Sequence, residues 1–377
     1  MHPKLKYNKT RYKTINHIVT FDAKPMKLCG YKILLSNFNF LLLQPILTKN
    51  MKELIANFTQ HITEAISISK STDLTPFKGK IENVLICGLG GSGIGGTIIS
   101  QVVADQANCP IIINKDYKIP AFVNQNTLVI VCSYSGNTEE SIEMLTLANA
   151  QHAVIACITS GGKLLEIAKE KKYNHIVIPG GYPPRAAFGL AFPPLFFLLA
   201  HYNITTTDYI SQFNTAVKLI AAEEGNIIAE AKIVSEKLYN KIPVIYADAN
   251  YEGVAVRFRQ QINENAKMLC WHHVIPEMNH NELVGWTTKN ENLAVVLFRN
   301  KDDYFRTQKR MEINKTVFSK YTSTIIEIFS KGNSRLEQAL YLIHLGDWIS
   351  YLLAEKKGID VTEVDVITNL KNELAKL

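Results

Sequence analysis

Two segments of this sequence combine glycine with hydroxyl side chains in a pattern that suits the binding of an anion. The first, residues 88–96, reads GLGGSGIGG and follows a short apolar run. The second, residues 131–141, reads VCSYSGNTEES and carries the hydroxyls of Ser133, Ser135 and Thr138. Glycine lets the backbone approach a ligand closely, and the start of a helix offers unpaired N–H groups with partial positive charge. Phosphate is the anion that this pattern favours.

The first segment also fits a dinucleotide-binding fingerprint. Gly88, Gly90 and Gly93 have the G-x-G-x-x-G spacing, and Asp116 lies 23 residues after Gly93, near the usual acidic position of that fold. A Walker A loop is excluded, because no Gly-Lys-Ser/Thr follows the glycines. The second segment favours the phosphate interpretation, since a dinucleotide fold does not require it. Helix capping alone does not explain the three hydroxyls of the second segment, because a cap uses only one.

Both segments are expected to lie at strand ends of an α/β fold, since short apolar runs alternate with helical patterns. The predicted strands are 83–88, 110–114, 127–132, 153–158 and 175–179 in a first unit, and 242–248, 272–276, 292–299 and 323–329 in a second. Predicted helices include 92–104, 138–150, 251–270 and 334–355, with a last one at about 362–376. The sequence therefore predicts two doubly wound parallel-sheet domains, in residues 51–205 and 206–377.

The first fifty residues differ from the rest in charge. They hold nine Lys and Arg residues and one acid, whereas residues 51–377 hold 32 basic and 33 acidic side chains. A protein that binds the nucleic-acid backbone usually has an excess of basic residues. Because residues 51–377 have none, we expect no nucleic-acid partner. A regular amphipathic helix starts only at Met51, so residues 1–50 are interpreted as an extension outside the fold. No apolar stretch reaches 18 residues, so we expect no membrane span.

Cysteine and histidine usage argues against a disulfide scaffold and against a metal centre. The six cysteines form no CxxC pair, and Cys87, Cys132 and Cys157 fall in predicted strands. Buried free thiols in a reducing cytoplasm are the interpretation that follows. The ten histidines show no HxH or HExxH pattern. We therefore expect a cytoplasmic protein with no catalytic metal.

The glycine and hydroxyl segments resemble the phosphosugar-binding motifs of the sugar isomerase (SIS) domain. Four later segments resemble the bifunctional phosphoglucose/phosphomannose isomerase family, which has two SIS domains: PPRAAFG (183–189), QQINENAK (260–267), PEMNHNELVGW (276–286) and VDVITNLKNEL (364–374). The similarity runs in order from about residue 80 to 375. It implies two flavodoxin-like SIS domains that interconvert glucose 6-phosphate and mannose 6-phosphate with fructose 6-phosphate, without metal or cofactor.

Such a reaction needs a phosphate anchor, a ring-opening group, a base that moves a proton between C1 and C2, and stabilisation of the enediolate. The expected phosphate anchor is formed by Gly91, Ser92, Ser133, Ser135 and Thr138. Glu264 lies late in a predicted helix between Asn263 and Asn265, whose amides could orient it, and the resemblance implies that it is the base. Arg185, in a proline-rich turn, could stabilise the enediolate through its guanidinium.

The resemblance implies two further functional residues. His280 would act in ring opening and reach the site from the neighbouring subunit of a homodimer, and Lys371, on the last helix, would transfer a proton in the same step. Glu282 is the rival base. Three other functions stay open at this point: an SIS-type isomerase of amino sugar phosphates, a non-catalytic phosphosugar-binding regulator, and a nicotinamide-dependent oxidoreductase that uses the Gly88 fingerprint.

A chain shortened to begin at Met51 is expected to keep full isomerase activity, because the predicted fold begins at that residue. Activity and the thermal unfolding midpoint of the shortened and the full chain test this. Loss of folding on truncation would contradict it.

Overall fold

The computed structural model describes residues 50–374 and 376, so the predicted N-terminal extension lies outside the described residues. The first helix, α1 (Met51–Ala56), starts at the predicted residue. The side chain of Asn50 caps it by accepting a hydrogen bond from the N–H of Lys52 at 3.1 Å. The predicted amphipathic helix is interrupted at Asn57 and continues as α2 (Phe58–Ser71).

The strands of the described region form two parallel sheets. The first sheet contains β1 (Asn83–Cys87), β2 (Ile111–Asn114), β3 (Thr127–Ser133), β4 (Val154–Thr159) and β5 (Asn174–Val177). The second contains β6 (Ile242–Asp248), β7 (Trp271–Ile275), β8 (Leu293–Arg299) and β9 (Ile325–Phe329). Every predicted strand is confirmed to within two residues at each end.

Helices surround both sheets. They are α3 (Gly90–Val102), α4 (Glu139–Ala150), α5 (Gly162–Glu170), α6 (Phe188–His201), α7 (Tyr209–Leu238), α8 (Glu252–Ala266), α9 (Phe305–Phe318), α10 (Arg335–Lys357) and α11 (Asp365–Leu374). The prediction for α8 was wrong at its end, since residues 267–270 are not helical; Lys267 has a left-handed backbone with φ 51° and ψ 45°. None of the helices described here is long and apolar enough to cross a lipid bilayer.

The strand order explains why the two predicted motifs come together. The first sheet has the order β2-β1-β3-β4-β5, with every neighbouring pair parallel. The chain therefore turns in opposite directions after β1 and after β3, and a crevice opens between their carboxyl ends. The second sheet, β7-β6-β8-β9, repeats this arrangement with one strand fewer. The predicted fold class, two doubly wound parallel-sheet domains, is confirmed.

A buried ion pair joins helices from both halves of the chain. Arg257 on α8 donates to both carboxylate oxygens of Asp347 on α10, at 2.9 and 2.7 Å. Gln261 donates to the same carboxylate at 2.8 Å, and the Arg257 guanidinium stacks 4.4 Å from the centre of the Phe188 ring on α6. Because a buried charge is tolerated only when it is paired and hydrogen-bonded, this cluster aligns the three helices.

The predicted free thiols of the strands are confirmed. Cys87, Cys132 and Cys157 are free and buried in β1, β3 and β4. Burial raises the pKa of Cys87 and of Cys157 to about 12, so both thiols stay protonated and unreactive at neutral pH.

Replacing Asp347 by alanine is expected to lower the free energy of unfolding by about 3–5 kcal/mol, because Arg257 then stays buried without its partner. Denaturant titration measures the loss. The matched control is Asp105→Ala, whose carboxylate is 64% exposed and lies 3.7 Å from Arg335; it should cost less than about 1 kcal/mol. Equal losses in the two variants would contradict this account.

Candidate active site

The glycine turn after β1 and the hydroxyl turn after β3 lie against each other at the carboxyl edge of the first sheet. The N–H of Tyr134 donates to Ser92 Oγ at 3.0 Å. A Cβ on Gly88 would lie 2.9 Å from the carbonyl oxygen of Cys132, so only glycine allows this approach. Helices α3 and α4 both begin at this crevice, and their N-termini add partial positive charge to it.

The hydroxyl turn is held in shape by its own side chains. Buried Ser133 donates to Thr138 Oγ1 at 3.0 Å and accepts from the N–H of Gly136 at 3.1 Å. Exposed Ser135 accepts from the N–H of Asn137 at 3.3 Å. Thr138 precedes α4 without capping it through its side chain. The hydroxyls therefore line a turn instead of capping a helix, which is what the sequence pattern predicted.

The glycine turn also contacts the element that carries Arg185. That element is a short 3-10 helix, Pro184–Ala186, and a Cβ on Gly91 would lie 3.0 Å from the carbonyl oxygen of Pro184. Arg185 itself is only 4% exposed, so a surface ion pair is excluded. The crevice and the guanidinium are thus parts of one region.

The Arg185 guanidinium reaches across to the second half of the chain. Its Nε donates to Asn265 Oδ1 at 2.7 Å, and its Nη1 donates to Glu264 Oε2 at 3.4 Å. Its Nη2 donates to the carbonyl oxygens of Val361 and Thr362 at 2.6 and 3.3 Å. Glu264 and Arg185 lie 79 positions apart in sequence. The tertiary structure therefore brings Glu264, the expected base, into contact with Arg185, which is expected to stabilise the enediolate.

Burial lowers the pKa of Arg185 from its ordinary value, and the carboxylates of Glu264, Asp360 and Glu363 oppose this shift. An arginine stays charged under such conditions. The Glu264 side chain is 29% exposed and lines a pocket of about 280 Å³ together with Lys267 and residues of the first turn of α11. Glu264 is therefore accessible to a ligand and has a fixed cation beside it.

One expectation about Glu264 was wrong. The amides of Asn263 and Asn265 do not orient it: Asn265 binds Arg185 and donates to Ser350 Oγ at 2.9 Å, and Asn263 donates to the carbonyl oxygen of Met268 at 2.7 Å. Successive side chains on a helix point in different directions, so neighbours in sequence do not face each other. Arg185 orients Glu264 instead. Asn265, which was expected to orient Glu264, holds Arg185 in place.

The remaining candidates lie outside the hydrogen bonds of this cluster. His280 is exposed in a 3-10 helix, Glu277–His280, that follows the carboxyl end of β7. Lys371 is exposed on α11, one turn beyond Ile367, which lines the Glu264 pocket. Glu282 accepts a hydrogen bond from Tyr246 Oη at the carboxyl edge of the second sheet. Among residues 50–374 and 376, no group of His, Cys, Asp and Glu is arranged to hold a metal ion.

Comparison with known proteins identifies the family. A model of the bacterial phospho-glucose isomerase C-terminal SIS domain matches residues 227–374. The bifunctional phosphoglucose/phosphomannose isomerase of Caldicellulosiruptor bescii is 38% identical over 340 residues, which cover 87% of this chain and 99% of that protein. This chain belongs to the bifunctional phosphoglucose/phosphomannose isomerase family. The Aquifex aeolicus member is 35% identical over 81% of this chain and 92% of its own length.

Solved structures support the fold of this isomerase family member. The C-terminal domain of glucosamine-fructose-6-phosphate aminotransferase from Francisella tularensis superposes with a TM-score of 0.67 at 16% identity, over 83% of this chain and 98% of that one. A more divergent sequence relative is the D-glucosamine-6-phosphate 4-epimerase of Sulfolobus acidocaldarius, which is 32% identical over 59% of this chain and 70% of its own length.

Gly136→Ala is expected to weaken hexose 6-phosphate binding at least about tenfold. Gly136 has φ 69°, and its Cβ would lie 1.8 Å from the carbonyl oxygen of Gly161, so the hydroxyl turn must shift. Calorimetric titration with glucose 6-phosphate measures the affinity. The control is Gly181→Ala at φ 86°, where no atom lies within 4 Å of the added Cβ. A folded Gly136→Ala protein that binds like wild type would contradict the phosphate assignment.

Proposed function

We propose that this chain is an aldose–ketose isomerase that converts glucose 6-phosphate and mannose 6-phosphate to and from fructose 6-phosphate. The observation that carries the proposal is the contact between Arg185 and Glu264 next to the glycine and hydroxyl turns. It puts an accessible carboxylate, a buried cation and an anion-binding crevice in one region. These are the groups that proton transfer within a sugar phosphate requires.

The phosphate group binds in the crevice between β1 and β3. Gly91, Ser92, Ser133, Ser135 and Thr138 supply N–H and hydroxyl donors there, and the N-termini of α3 and α4 supply partial positive charge. These donors bind the ester end of the substrate whether the ring is open or closed. The phosphate therefore anchors the sugar while its other end reacts.

Glu264 moves the proton. In the open-chain aldose it removes the C2 proton, the C2–H electrons form the C1–C2 double bond, and the carbonyl oxygen on C1 takes the negative charge. Arg185 stabilises that enediolate, and a proton passes from the C2 hydroxyl to the oxygen on C1. Glu264 then returns its proton to C1 while the oxygen on C2 forms the carbonyl of the ketose. Glucose 6-phosphate and mannose 6-phosphate differ only at C2, which is planar in the enediolate. One base can therefore serve both substrates, and Thr362, whose carbonyl oxygen binds Arg185, lies next to this site.

His280 is proposed to open the ring from the neighbouring subunit of a homodimer. Glu264 precedes the amino end of β7 within its own chain, whereas His280 follows the carboxyl end. The five residues of β7 span about 15 Å, so the two side chains belong to opposite edges of the second sheet. A second copy is the source that supplies His280 to the Glu264 pocket, and Lys371 on α11 assists there as proton donor.

The reaction is proposed to take place in the cytoplasm without metal, cofactor or nucleic-acid partner. The balanced charge of residues 51–377 favours a small anionic substrate over a nucleic acid. An amino sugar phosphate is the second candidate substrate, which the likeness to the Sulfolobus epimerase favours. Glucosamine 6-phosphate should therefore be assayed beside the two hexose phosphates; turnover of it alone would replace the proposed substrate pair.

Glu264→Gln is expected to lower kcat for glucose 6-phosphate and for mannose 6-phosphate together, by about 100- to 10,000-fold, because the base is lost. A coupled assay that follows fructose 6-phosphate formation measures both. Glu282→Gln is the comparison for the rival carboxylate and should keep kcat within about threefold. Unchanged activity of Glu264→Gln refutes the base, and loss of only one activity refutes the shared site.

Mixing inactive Glu264→Gln and His280→Ala proteins is expected to restore activity to about one quarter of wild type, because half of the re-formed dimers hold one intact site. The specific activity after subunit exchange measures this. The matched control mixes Glu264→Gln with Arg185→Met; these residues contact each other within one chain, so no hybrid site is intact. No recovery in the first mixture would show that His280 does not cross the interface.

A further inference from the structure

The end of helix α8 carries a lysine where glycine would be favoured. Lys267 follows Ala266 with φ 51° and ψ 45°, and its N–H donates to the carbonyl oxygen of Ile262. The left-handed conformation at this position of a helix is usually taken by glycine, because a Cβ makes it unfavourable. The left-handed backbone alone assigns no role, because Lys172 also has a positive φ of 58°. What distinguishes Lys267 is the pair of hydrogen bonds that its side chain makes.

The Lys267 side chain connects two elements of the site. Its Nζ donates to the carbonyl oxygen of Glu264 at 2.6 Å and to that of Glu363 at 2.7 Å. The carboxylate of Glu363 lies 3.9 Å from the same ammonium. The end of α8 has an additional cap, because Lys357 Nζ donates to the carbonyl oxygen of Ala266 at 2.8 Å. Capping of α8 therefore does not by itself explain the contacts of Lys267.

Helix α11 is exposed along its whole length. None of its residues is buried, so little apolar packing holds it in place. The segment that leads into it is held through three successive carbonyl oxygens, those of Val361 and Thr362 by Arg185 and that of Glu363 by Lys267. Lys267 makes the last of these bonds before α11 begins at Asp365.

We propose that Lys267 is a positioning residue that fixes the start of α11, and with it Lys371, relative to the helix end that bears Glu264. The proposal rests on the proposed isomerase function, because Lys371 acts only if ring opening occurs in this pocket. Lys267 also lines the pocket beside Glu264, so loss of its ammonium changes the distance between base and proton donor without touching the phosphate crevice.

The test compares Lys267→Gly with Lys172→Gly. Lys172 also has a positive φ, 58°, just beyond the end of α5, and within the described residues its side chain makes no hydrogen bond or ion pair. Glycine relieves the backbone strain in both variants, so each should unfold at an equal or higher temperature than wild type. Only Lys267→Gly should lose activity, with kcat about 10- to 100-fold lower and KM within about threefold.

Hydrogen–deuterium exchange gives a readout that does not depend on activity. Amides of residues 361–370 should exchange faster in Lys267→Gly than in wild type. Their exchange rates should be unchanged in Lys172→Gly. Lys267→Arg, which keeps a donor at this position, should restore most of the protection and part of kcat.

Two results would overturn the proposal: unchanged exchange of residues 361–370 in Lys267→Gly, or a kcat within about twofold of wild type. A wild-type protein that isomerises no hexose phosphate contradicts the proposed function instead. In that case the exchange data still decide whether Lys267 holds α11.

Discussion

The site depends on one buried guanidinium. Arg185 comes from the first half of the chain, yet its acceptors are Asn265 and Glu264 of α8 and two backbone carbonyls before α11. An arginine that is 4% exposed must find acceptors for its N–H groups, and here the second half supplies them. The same bonds that satisfy the guanidinium therefore set the position of the carboxylate relative to the glycine and hydroxyl turns.

The side chain of Asn265 is a neutral acceptor for the Arg185 guanidinium. Asn265 accepts the shorter of the two hydrogen bonds that Arg185 makes to side chains, without cancelling its charge, and Asn265 donates in turn to Ser350. The Glu264 carboxylate, at 3.4 Å, makes a longer contact and keeps part of its surface open. A cation whose shorter hydrogen bonds go to neutral acceptors remains available to stabilise negative charge that develops on a substrate.

The two sheets share a topology but differ in the charge at their switch points. Hydroxyls and helix N-termini line the carboxyl edge of the first sheet. The corresponding edge of the second holds Asp248, Asp302 and Asp303 in a pocket of about 260 Å³. Burial, with a smaller contribution from the neighbouring Asp248, raises the pKa of Asp303 to about 6. Such an acidic lining disfavours phosphate, and in the proposed mechanism the second half contributes the base to the site of the first instead of forming an equivalent site.

The sequence by itself determined the strands, their order and the glycine and hydroxyl turns at strand ends, because these follow from local apolar patterning and from glycine and hydroxyl spacing. It also identified Glu264 and Arg185 as separate candidates. Only the tertiary structure decided that they contact each other, that Asn265 serves the arginine, and that α8 ends at Ala266 with a left-handed lysine. The reason is physical: these features depend on partners that lie far away in sequence, whereas helix periodicity and strand patterning are local.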